Sequence, residues 1–217
     1  MTAVIECVIL GAGGHAAMVL EILRHQSVTL GVIDRNAAAL GATWNGIRVL
    51  GDDELLAQLA CRGTLRFAIG LGGVGDNAPR ARLFNRAIDH GLHPIAVHHP
   101  SAIVSPEAVL GEGVQLLPGC IVNWGSRLGR NVIVNTGAIV EHDCRIGDHV
   151  HVSSGAVLAG AVTVGALAHI GAGATVRQGI VIGERAIVGA GSVVVKNVAP
   201  GAVVAGVPAG PLPERSE

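Results

Sequence analysis

The chain has 217 residues, 15 Lys and Arg against 16 Asp and Glu, a net charge of −1 and four cysteines. Charge this close to balance gives no electrostatic reason to expect nucleic acid or an anionic membrane as partner, and an aromatic content of 2% with no Tyr leaves little to stack on bases. Cys7, Cys61, Cys120 and Cys144 show no CxxC spacing and read as reduced thiols of a cytoplasmic protein; nothing between Met1 and Leu10, a stretch that carries Glu6, resembles a signal peptide.

Val4 to Leu10 predicts a short buried strand, Gly11-Ala12-Gly13-Gly14-His15 a glycine turn, and Val19, Leu20, Ile22 and Leu23 the apolar face of a helix. Leu30 to Ile33 predicts the next strand, closing on Asp34, Arg35 and Asn36. Asp52 caps a helix through Leu55, Leu56 and Leu59; Arg66 to Gly70 is a third strand, Arg80 to His90 a helix and His93 to Val97 a fourth strand. Such alternation implies a small Rossmann-like parallel sheet with helices on its faces. A glycine turn opening a helix exposes backbone N–H groups and the positive end of the dipole, so an anionic phosphate can sit there, although a plain tight turn uses the same glycines. Asp34 at the end of the second strand can accept ribose hydroxyls. The segment is too short for a full dinucleotide fold, so a mononucleotide is the better fit, with His15 as a further contact to sugar or phosphate.

His98, His99, Pro100 and Ser101 mark a boundary, giving domains at 1–98 and 99–217. Beyond it, hexads fade in at Val104, and from Leu110 through Leu116 and Val122 to Val188 and Val194 every sixth residue is aliphatic. Four positions after each aliphatic sits a small or β-branched residue such as Cys120, Ser126, Ala138 or Cys144. Gly follows the aliphatic at 111, 129, 147, 165 and 183, which are 18 apart, so three hexads make one coil. This predicts a triangular parallel β-helix with both apolar positions inward and coils stacked at about 4.8 Å. Gly129, Asn135 and Gly147 are expected at its corners, where turn dihedrals are needed. The stretch from Val152 to Val176 has no formal charge beyond a possible one on His169, yet it keeps the six-residue beat and belongs to the prism rather than to a membrane.

Within this aliphatic frame, Glu141, His142 and Asp143, followed by His149 and His151, form a cluster of ionisable residues. A histidine flanked by carboxylates serves as a general base, because a carboxylate on one ring nitrogen fixes the tautomer and raises the basicity of the other. A solvated corner is the plainer alternative. Metal ligation is a third, since His149 and His151 alternate on a strand and share a face. Asn135, at an adjoining corner, could orient the base or hold a sugar hydroxyl. His25, His90, His93 and His169 have no such company and read as structural or exposed.

The hexads, Gly11 to His15, Asp34 with Arg35, His99 to Ala102, Asn135, Glu141 to Asp143 and Gly206-Val207-Pro208-Ala209 together resemble the left-handed β-helix (hexapeptide-repeat) sugar acetyltransferases, in the branch that acts on nucleotide-linked amino sugars. The resemblance implies an α/β nucleotide-sugar-binding domain, then an all-β left-handed parallel β-helix that binds acetyl-CoA. It implies transfer of acetyl from acetyl-CoA, as co-substrate with no metal, to the C4 amine of a nucleotide-linked 4-amino-4,6-dideoxyhexose. His142 matches the base, with Asp143 or Glu141 orienting it. A backbone N–H near Gly160, one coil above His142, would meet the oxyanion; His151 and Ala172 would meet CoA; Gly13, Gly14, His15, Asp34, Arg35 and Asn135 would hold the nucleotide sugar. Trimeric assembly also comes from the resemblance. It agrees with hexads that run without an inserted loop, so that a flat face must borrow its second wall from a neighbouring prism. Ala16 and Ala17 stand where the family often has Gly and Lys, and Gly70 to Arg80 is longer and richer in glycine than usual. An O-acetyltransferase on a sialic-acid-like sugar, a γ-carbonic-anhydrase-like metal hydrolase and a non-catalytic β-helix remain as alternatives.

Overall fold

Residues 6–26, 29–35, 41–60 and 65–212 are described by the computed structural model. Val4, Asn36 and Cys61 lie outside them. The chain packs as two units, one made of the stretch to Gly72 with Pro79–Val97, the other of Gly73–Ala78 with the chain from His98 onward.

The first unit contains, in chain order, β1 (Glu6–Leu10), α1 (Gly14–His25), β2 (Thr29–Ile33), β3 (Thr43–Trp44), β4 (Ile47–Gly51), a 3-10 turn (Asp53–Leu55) running into α2 (Leu56–Ala60), β5 (Arg66–Ile69), α3 (Ala78–Asp89) and β6 (His93–Pro94). The sheet order is β3-β4-β2-β1-β5-β6, parallel except for the β3–β4 hairpin. Four strands were expected and six are found. The added pair turns on Asn45 and Gly46, both left-handed at φ 45° and 80°, which is the turn a two-residue hairpin requires. The expected strand His93 to Val97 divides: His93–Pro94 closes this sheet, while Val97–His98 is the first strand of the prism. Helix α1 buries Ala16, Val19, Leu20, Ile22 and Leu23, as its 3.6-residue pattern demands. Phe67 and Phe84 meet edge to face at 5.3 Å in the core with Val8, Leu10, Ile33 and Leu56.

The second unit is a left-handed parallel β-helix of three sheets with eight, six and five strands. Most strands are two residues long and pair with the strand 18 positions on: Ile133 with His151, Ile139 with Val157, Arg145 with Thr163. The aliphatic position of each hexad and the small residue four places later form one continuous core, from Leu110 and Val114 to Val194 and Val198. Each buried Val, Leu or Ile contributes about 1.5–3 kcal/mol against exposure, so the repeat is a stability pattern before it is anything else. No helix among the described residues is long and apolar enough to cross a membrane, and Val152 to Val176 is prism strand and corner.

The corners differ from expectation. Left-handed backbone falls three residues after each aliphatic, at Gly119, Gly125, Asn131, Gly137, Asp143, His149 and Gly155, not at Gly129, Asn135 or Gly147. Gly129 and Gly147 are glycine for another reason: a Cβ there would stand 2.7 Å from the backbone N of Asp148 and 2.6 Å from that of Ala166, the next coil passing directly over them. One phase of glycine serves conformation, the other serves close approach. At two corners where the left-handed residue is not glycine, stacked side chains bond to each other, Asn131 Nδ2 to His149 Nδ1 at 3.0 Å.

Candidate active site

In the first unit the chain leaves β1 on one side for β2 and returns on the other for β5, which opens a crevice at the carboxyl end of β1. The glycine turn lies there. Gly11 is left-handed at φ 102°, and a side chain there would strike Leu71. Gly13 caps α1 with extended backbone and no side-chain cap. A Cβ on Gly13 or Gly14 would meet nothing within 4 Å, so the chain's own packing does not require glycine at either position. Ala12 N–H donates to Asp34 Oδ2 at 2.6 Å, tying the end of β2 to the turn. Arg35 Nε donates to Asp53 Oδ2 at 2.7 Å, and that hydrogen bond raises the guanidinium's pKa further, with the Asp53 charge adding to it. Asp34, Arg35, Asp53 and Arg82 line a cavity of about 220 Å³ together with Gly11 and Leu71. Gly13, Gly14 and His15 are not among its lining residues. Asp53 and Arg82 escaped sequence reasoning, because neither belongs to a spaced motif.

In the second unit, residues Glu141 to Asp143 form a corner of the prism. His142 Nδ1 is 3.0 Å from Asp143 Oδ2, with the two side chains 60% and 46% exposed. Asp143 takes the left-handed corner at φ 59°, its N–H donates to Trp124 O at 2.9 Å, and its Oδ1 lies over Gly125, where a Cβ would be 2.8 Å away. Glu141 was expected as a possible orienting group and does not serve as one: its Oε2 accepts from Asn123 Nδ2 at 3.0 Å, one coil back. With Nδ1–H given to Asp143, Nε2 is the nitrogen open to a proton. That nitrogen lies against Gly160, where a Cβ would sit 2.6 Å from it, so any side chain at 160 would displace the ring. Cys144 beside the cluster is buried; burial raises its thiol pKa, and Sγ donates to Ala159 O at 3.3 Å.

Asn135 and His151, expected to meet sugar and CoA, are hydrogen-bonded to each other. Asn135 Nδ2 donates to His151 Nε2 at 3.0 Å, and its Oδ1 accepts from Thr136 N–H at 2.8 Å. His151 Nδ1–H donates to Gly73 O at 2.9 Å, so both ring nitrogens of this buried histidine are engaged within the chain. Gly73–Ala78 is held on the same face by Asn77, whose Nδ2 donates to Ala168 O at 2.9 Å. His169, read as structural or exposed, is buried edge to face against His151 at 5.1 Å. His149 and His151 do not share a strand face, because His149 occupies a left-handed corner. Among the described residues no three His, Cys, Asp or Glu side chains gather to hold a metal. His151 and Ala172 line a cleft of about 440 Å³ with Val74, Ser153, Ile187 and Ala190. The cleft occupies the corner before the strand Val157–Leu158, and Gly160 with His142 occupies the corner after that strand's sheet.

The PglD N-terminal domain family matches residues 6–87 and the bacterial transferase hexapeptide family (six repeats) matches residues 125–160. A histidine-to-asparagine mutant of perosamine N-acetyltransferase from Caulobacter crescentus, solved with CoA and GDP-perosamine, is 40% identical over 98% of this chain and 99% of its own, with a TM-score of 0.91. PerB from Caulobacter crescentus, solved with the same two ligands, is 41% identical over 97% of this chain and 99% of its own, at TM-score 0.89. The acetyltransferase domain of PglB from Neisseria gonorrhoeae FA1090, in complex with acetyl coenzyme A, is 35% identical over 97% of this chain and 100% of its own, at TM-score 0.88. No curated protein sequence matches the chain. The chain belongs to the hexapeptide-repeat family of acetyl-CoA-dependent nucleotide-sugar acetyltransferases with a PglD-type N-terminal domain.

Proposed function

We propose that the chain transfers acetyl from acetyl-CoA to the C4 amine of a nucleotide-linked 4-amino-4,6-dideoxyhexose, with His142 as general base. The observation that carries this reading is the His142–Asp143 pair at 3.0 Å, with Nε2 turned to Gly160. The amine nitrogen attacks the thioester carbonyl while Nε2 takes its proton, and Asp143 stabilises the imidazolium that forms. The tetrahedral intermediate places negative charge on the former carbonyl oxygen, and the Gly160 N–H stands one coil from the base to receive it. Collapse breaks the carbon–sulfur bond, and the proton held by His142 passes to the departing CoA thiolate. The raised pKa of the Cys144 thiol fits direct transfer without an acyl-enzyme.

The glycine turn, Asp34 and Arg35 hold the nucleotide in this reading, with Gly13, Gly14 and His15 toward the phosphates. Asn135 and His151 act through each other, fixing Gly73 at the rim of the cleft, and Ala172 lies along the pantetheine arm. The base and the cleft occupy different corners of the prism, so one copy of the chain cannot bring its own cleft to its own His142. Five of the six outward residues of the sheet between those corners, Ile103, Ile121, Ile139, Val157 and Val193, are aliphatic and at least partly exposed, the sixth being Thr175, which suits packing against further copies in a homotrimer.

The test is thiol release from acetyl-CoA with a panel of GDP-, UDP- and dTDP-linked 4-amino-4,6-dideoxyhexoses, with light scattering on the same sample. GDP-perosamine comes first, because relatives at 40% and 41% identity were solved with it. Turnover with an amino sugar and none with its 4-hydroxy counterpart is the expected result. A fully active monomer would end the shared-site arrangement, and turnover only with hydroxyl acceptors would replace N- by O-acetylation.

A further inference from the structure

Trp124 is 60% exposed on a prism whose core is aliphatic, in a chain with only two Trp. It contributes little to the core. Its position is set by the coil register, since Val122 pairs with Val140 and Ile139 with Val157, which puts Trp124, His142 and Gly160 at one place on three successive coils. Trp124 O accepts the Asp143 N–H at 2.9 Å and His142 O accepts the Ala161 N–H at 2.8 Å, so the three coils are bonded directly at this corner.

This column has a direction. The acetyl carbonyl is assigned to the Gly160 side of His142, and an attacking amine adds to the carbonyl carbon through one face of its plane while giving its proton to Nε2. With its amine at Nε2 the sugar lies along this column, and on the coil before His142, about 4.8 Å away and so about the width of a hexose ring, the side chain presented is Trp124. A 4-amino-4,6-dideoxyhexose has a methyl group on C5 in place of a hydroxymethyl, so one end of the ring is apolar. An exposed indole is a flat apolar surface whose electron-rich face attracts C–H groups.

We propose that Trp124 is the acceptor-binding platform, packing against the C5-methyl end of the sugar and favouring 6-deoxy over 6-hydroxy acceptors. This rests on the function proposed above. The neighbouring Asn123 and Glu141, bonded at 3.0 Å, brace the same corner and leave the indole as the apolar element of the pair of coils.

Two measurements test it. In Trp44→Phe protein Trp124 is the remaining indole, and its emission should change saturably with a nucleotide-linked 4-amino-6-deoxyhexose in the absence of acetyl-CoA, and not with the nucleoside diphosphate alone. In steady state, Trp124→Ala should raise KM for the amino sugar about tenfold and narrow the preference for 6-deoxy acceptors by a similar factor, since one apolar contact is worth roughly 10- to 200-fold in discrimination. KM for acetyl-CoA should stay at the wild-type value, and Trp124→Phe should restore most of the sugar affinity. An unchanged sugar KM, a raised acetyl-CoA KM, an equal response to the bare nucleotide, or loss of the assembly in Trp124→Ala would each overturn the platform. If wild-type protein turns over no nucleotide-linked 4-amino sugar, the parent function has failed, whereas wild-type turnover with an unaffected Trp124→Ala sinks the platform alone.

Discussion

Each unit puts glycine where a ligand is expected, and the two cases differ in what stands against the missing side chain. At Gly13 and Gly14 a Cβ would meet nothing, while at Gly160 it would meet the imidazole of His142 at 2.6 Å. On the function proposed above, the chemistry of the first unit belongs to the backbone: N–H groups at the start of a helix with no side-chain cap, where an anion would be met. In the prism it belongs to side chains that a rigid backbone holds at one spacing. On that reading the turn keeps space for its ligand, whereas the corner has already filled that space with its base.

The largest effect expected from this contrast is at His142. His142→Ala removes the proton acceptor from an exposed corner that buries little, so kcat should fall about 10²- to 10⁴-fold. Thermal unfolding should stay near wild type. A mutant with wild-type turnover at saturating acetyl-CoA would remove His142 as base. Gly160→Ala comes next. It leaves every reacting group in the chain but drives a methyl into Nε2 and Cε1, at 2.6 and 2.7 Å. Misplacement of about 1 Å costs on the order of 10² in rate, and this loss should appear in kcat with the sugar KM little changed. Were Gly160→Ala fully active, the close contact between ring and backbone would have no catalytic consequence.

The two units were also unequally legible. The prism core could be read directly, since a fixed beat of Leu, Val and Ile repeats one environment along the chain. Its corners were misread because glycine occurs in two phases for two reasons, and composition does not separate a left-handed φ at Gly137 from a close approach at Gly147. The choice between Asp143 and Glu141 depended on the left-handed turn at 143, which sends one carboxylate to the ring and leaves the other to Asn123. His151 stood out in the sequence, but its bond to Gly73 did not, since that partner lies 78 residues away in a segment without a motif. In the first unit β3 and β4 carried a usable signal, the Asn45-Gly46 pair, between strands of two and five residues, too short to show a sustained period of two.

The smallest expected effect isolates the binding turn. Gly14 is the first residue of α1, its φ is not left-handed, and no atom stands within 4 Å of the place a Cβ would take. Gly14→Ala should therefore stabilise the first unit by about 0.5 kcal/mol, through reduced freedom of the unfolded chain, and raise Tm by roughly 1–2 °C. The same methyl would stand in the space above the helix N-terminus. If a diphosphate approaches the backbone there, KM for the nucleotide sugar should rise several-fold while KM for acetyl-CoA and the thiol-release rate at saturating sugar do not move. Opposite signs for stability and sugar affinity are what a glycine kept for a ligand must show. A Gly14→Ala protein that is more stable and binds the nucleotide sugar as well as wild type would mean that the turn serves only to start the helix, and would move the nucleotide to the cavity at Asp34, Arg35 and Asp53.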